Sequence, residues 1–160
     1  MSRKNYKGPK TMYYASLEFE KRGIDSFFVQ SQLRQSGEGG FILAQRWLGV
    51  LGLCKLLHLK EFYNEENMFN QSYDPGIEWL TKAANNGDVV SKYILAKCRQ
   101  TGVGLEQDEK AAEAELERLV PKVGMDVIIA VGIIFEYILS QSSITCTDLS
   151  HFCWRLRLAA

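Results

Sequence analysis

A chain of 160 residues that is 46% hydrophobic is long enough to bury a core without covalent staples, so a single compact domain over residues 1–160 is expected. Its 19 basic and 19 acidic residues cancel, which removes the bulk positive field that nucleic-acid binding relies on. The longest uncharged apolar run, Val127 to Phe135, stops at Glu136 and falls well short of the roughly 18 residues that span a bilayer.

Residues 1–10 carry Arg3, Lys4, Lys7 and Lys10 without an acid and read as a flexible terminus. No apolar stretch follows these basic residues, so no secretory signal is expected and a cytoplasmic location follows. Beyond them helical periodicity dominates, glycines mark the turns, and no run alternates with period two for the length of a strand. The class is all-α, with helices predicted over 11–22, 25–36, 41–58, 75–86, 89–101, 108–120, 125–140 and 148–159. The seventh, nearly all apolar, is expected to be the most buried.

The same layout of residues recurs along the chain. Trp79, Lys82, Ala84 and Gly87 stand at offsets 0, 3, 5 and 8, which puts the first two one helical turn apart and ends the helix on the glycine. Trp154, Arg157 and Ala159 reproduce the first three offsets, and Glu115, Arg118 and Val120 hold the corresponding places between. The copies lie 36 and 39 residues apart, a period of helix-pair repeats. Upstream of each copy an apolar residue precedes a small one, at Leu48-Gly49, Leu95-Ala96 and Val131-Gly132, where two helices can approach closely. After the middle pair, Thr101-Gly102-Val103-Gly104-Leu105, Asp108 and Ala111-Ala112 read as helix end, turn, N-cap and next helix. A weaker unit precedes these, with Asp25, Val29, Gln32 and Gly37 on the matching positions and Gly23 ending the helix before it.

This pattern resembles the Sel1-like repeat, a relative of the tetratricopeptide repeat, and residues 74–112 carry it most fully. Glu115 departs from the family's aromatic position, and no Gly-x-Gly turn precedes Asp74. The resemblance implies an α-solenoid of about four antiparallel helix pairs in a right-handed superhelix, divided at 11–40, 41–87, 88–124 and 125–160. Trp79 and Trp154 then occupy the packing position of the repeat. First helices tend to line the concave side of such a solenoid, where Arg46, Lys92, Lys97 and Arg99 would form a basic groove.

One departure from the period stands out. Leu48 and Leu95 are 47 residues apart, against 36 for Leu95 and Val131, which places an insertion of 11 residues within 60–73. It mixes Phe62, Tyr63, Met68, Phe69 and Tyr73 with acids, a composition suited to protein contact, although the same aromatics can fold back onto their own helix pair. Candidate partner contacts are Tyr63, Phe69 and Tyr73 in the insertion and Arg46, Lys92 and Arg99 in the groove.

Catalytic and metal chemistry finds no complete constellation. Gly102-Val103-Gly104 lacks the Gly-Lys-Ser/Thr and the leading strand of a phosphate loop. Cys146, His151 and Cys153 lack a fourth zinc ligand nearby, and His58 and His151 are too far apart for helical metal spacing. Ser142, Ser143, Asp148 and His151 read as a polar turn with Asp148 as N-cap. Some secreted, cysteine-rich members of the Sel1-like group are associated with β-lactam binding or hydrolysis, but no Ser-x-x-Lys element is present here. Cys54 and Cys98 read as reduced core thiols, while a Cys146–Cys153 bridge stays open. No metal or cofactor is expected.

The expected function is therefore non-enzymatic binding of another protein. Compact Sel1-like proteins are similar in build to bacterial immunity proteins that neutralise a toxin, which is the first specific reading. A scaffold or chaperone adaptor in a signalling or secretion pathway is the alternative, and a β-lactamase-like hydrolase a distant third.

Overall fold

A computed structural model describes residues 8–57, 72–140 and 145–159 of the chain, and among these the regular structure is all helical. The order is α1 (Pro9–Lys21), α2 (Ser26–Glu38), α3 (Ile42–Leu53), α4 (Asp74–Asn85), α5 (Val89–Thr101), α6 (Glu109–Leu119), a 3-10 turn (Val120–Lys122), α7 (Met125–Ser140), α8 (Cys146–Phe152) and α9 (Trp154–Leu158). From α1 to α6 each helix packs against its neighbour in the chain.

The helix ends follow from a few local devices. Asp25, Asp88 and Asp108 cap α2, α5 and α6, each carboxylate accepting a backbone N–H of the first turn. At the other ends the chain passes through a left-handed residue: Gly23, Gly40 and Gly87 after α1, α2 and α4. Behind each, an amide reaches back five residues, Ile24 to Phe19, Phe41 to Ser36 and Asp88 to Ala83, at 3.0 to 3.1 Å. Lys55 takes the same left-handed place after α3, with Leu56 N–H bonded to Leu51 O at 2.8 Å. That turn stops α3 at Leu53 rather than at residue 58.

Other boundaries also differ from expectation. Gly37 lies inside α2, and Gly40 makes the turn. Thr145, not Asp148, is the N-cap of α8; Asp148 stands three residues in and closes a capping box with it. The single helix expected over 148–159 breaks at Cys153, and Leu149, Cys153 and Leu156 are all buried.

The core centres on α3, where every residue from Ala44 to Leu53 is buried. Its glycines explain how α4 comes so close. A Cβ on Gly49 would collide with Leu80, and one on Gly52 with the backbone of Gly76. On the next contact outward, the Trp79 ring lies on Gly37 of α2, where an added Cβ would stand 2.9 Å from it. Trp79 is half-buried there, with the Lys82 ammonium 4.5 Å from its ring centroid. Trp154, by contrast, begins the five-residue α9 and is 47% exposed, so its shared offsets do not give it the packing role of Trp79.

After α7 the chain doubles back, and α9 packs on both α3 and α7. This return covers one side of α7 only. Val127, Ala130, Val131, Ile134 and Phe135 are buried, while Met125, Ile129 and Leu139 stand out on the other side, so α3 and not α7 is the most buried helix.

Candidate functional site

Arg46 occupies the most elaborate polar site of the described residues, and it is 1% exposed. Its Nε donates to Asp88 Oδ2 at 2.8 Å and its Nη2 pairs with Asp88 Oδ1, a two-pronged ion pair in the interior. The same Asp88 caps α5, accepting the Ser91 N–H at 3.0 Å and the Ser91 hydroxyl. Arg46 Nη1 is spent on the carbonyls of Leu156 and Ala159. One guanidinium therefore ties α3, the start of α5 and the C-terminal segment together.

Around it the C-terminal segment is held by α1. The Tyr13 hydroxyl donates to the Arg157 carbonyl, and the Glu20 carboxylate pairs with the Arg157 guanidinium and accepts from Ser150. That guanidinium also sits 4.9 Å from the centroid of the Trp47 ring. Burial raises the Tyr13 hydroxyl above its ordinary range, with Arg157 and Arg46 beside it opposing the shift. A neutral phenol locked among cations holds two parts of the chain together, and the buried Arg157 Nε beside it makes no hydrogen bond.

The expected basic groove is not assembled by these residues. Arg46 faces inward and its donors are committed to the chain's own groups, because an arginine this deep needs the Asp88 carboxylate and carbonyls to replace water. Lys92 is exposed on α5. Arg99 is partly buried and pairs with Glu115 of α6 at 3.2 Å, while Lys97 bonds Gln100 on its own helix at 2.6 Å. Tyr63 and Phe69 lie outside the described residues. Tyr73 is half-buried beside Gly104, with the Lys55 ammonium 4.6 Å from its ring centroid.

Cys98 and Cys153 are free, fully buried thiols, and burial pushes them up to about 12 and about 11. Neither is poised as a nucleophile. Cys54 is half-buried, and the side chain of Cys146 lies outside the described residues. No cluster of three metal-ligating side chains occurs among the described residues, and none of the described helices is long and apolar enough to cross a membrane.

Two features escaped the sequence pattern. Polar residues inside α3, Gln45 and Arg46 in an otherwise apolar helix, signal a buried network, but the pattern does not say that Asp88 and the C-terminus complete it. The other is α7, where Met125 is 69% exposed and Ile129 and Leu139 are each 56% exposed. Near its first turn Asp126 pairs with Arg155 at 3.1 Å, and Arg155 stacks on the exposed Trp154. Set against known proteins, the chain matches no family model, no curated protein and no solved structure.

Proposed function

We propose that the chain is a Sel1-like α-solenoid of antiparallel helix pairs that binds another protein through the insertion between α3 and α4 and performs no chemistry itself. The specific reading is a bacterial cytoplasmic immunity protein that neutralises a toxin. Support for the architecture comes from the small residues in register: Gly49 seats Leu80, and Ala96 is buried on α5. The Trp79 contact with Gly37 links the second helices of successive pairs in the same way.

The observation that carries the binding reading is the clasp at the neck of the insertion. Lys55 follows α3, Tyr73 precedes α4, and the ammonium of the first lies over the ring of the second. The chain on either side of the insertion comes from α3 and α4, which approach each other closely at Gly52 and Gly76. A segment with joined ends on a rigid base is the usual form of a functional loop.

Tagged protein recovered from the source cells, with its bound proteins identified by mass spectrometry, tests this directly. One toxin at equal stoichiometry is the expected outcome. Against that partner, Tyr63→Ala with Phe69→Ala weakens binding by more than about 2 kcal/mol, the hot-spot scale, and leaves the melting temperature nearly unchanged. Unchanged affinity with a clear fall in melting temperature refutes recognition by the insertion.

A further inference from the structure

We draw no further inference here: the strongest candidate, the apolar surface patch of Met125, Ile129 and Leu139 on the outer face of α7, carries nothing because nothing in the structure shows what covers it.

Discussion

Arg46 shows how much a single residue can hold. Removing its side chain leaves the Asp88 carboxylate buried with only the Ser91 donors and strips the Leu156 and Ala159 carbonyls of a partner. Arg46→Ala is expected to cost about 3 to 5 kcal/mol in urea denaturation, and Asp88→Asn in the same chain should restore part of that loss by removing the orphaned charge. The buried thiols give a second expectation at this scale. Cys98 and Cys153 titrate higher in the folded chain, at about 12 and about 11, than their ordinary 9.0. Their neutral forms therefore contribute stability that is complete below pH 9.0 and is lost as pH rises through the window up to those folded values. Each thiol adds a slope of up to about 1.4 kcal/mol per pH unit there. Urea melts in reductant on either side of pH 9.0 should show the fall, and Cys98→Ala should make it shallower. Equal slopes for the two proteins would place Cys98 outside the core.

At the scale of the helix, glycines of similar sequence context have opposite roles. Gly52→Ala drives a methyl into the Gly76 backbone, which has no rotamer to escape by, and should cost about 3 kcal/mol or more. Gly132→Ala meets open space on a helix and should raise stability by about 0.5 to 1 kcal/mol. Thermal melts of the two variants check the contrast. The same pair shows what the sequence made legible. Local signals carried the turns at Gly23 and Gly87, the Asp108 cap and the limits of α5 and α7, because each depends on residues within one or two turns. Position in three dimensions decided the rest. Gly37 and Gly40 are equally plausible helix stops in the chain, but Gly40 takes the left-handed turn while Gly37 lies inside α2 beneath the Trp79 ring. Trp154 has the offsets of Trp79 but stands at the start of a five-residue helix, where it is 47% exposed and stacks only with its neighbour Arg155. An apolar run such as α7 does not announce which of its faces the rest of the chain covers.

Across the whole molecule the surroundings of Arg46 and Tyr13 were the least legible feature, because the C-terminal groups that meet them come from more than a hundred positions away. Tyr13 and Arg157 are 144 residues apart, and Arg46 and Ala159 are 113 apart. An open array of helix pairs loosens from its ends, since each pair is held only by its neighbours. Here α9 lies on α3 and α7 while Arg157 reaches Glu20 on α1, so the last helix is bonded to the first. That closure should make unfolding more cooperative than the repeat pattern implies. Leu156 is fully buried at the junction, and Leu156→Ala should cost about 2 to 4 kcal/mol. Native-state hydrogen exchange gives the test. In a closed molecule the amides of α1 and α3 lose protection together with those of α9, by similar free energies, because all three open in one step. An effect confined to α7, α8 and α9 would instead mean that the C-terminal segment opens on its own, leaving Tyr13, Arg46 and Trp47 uncovered as a surface that a partner's chain can enter.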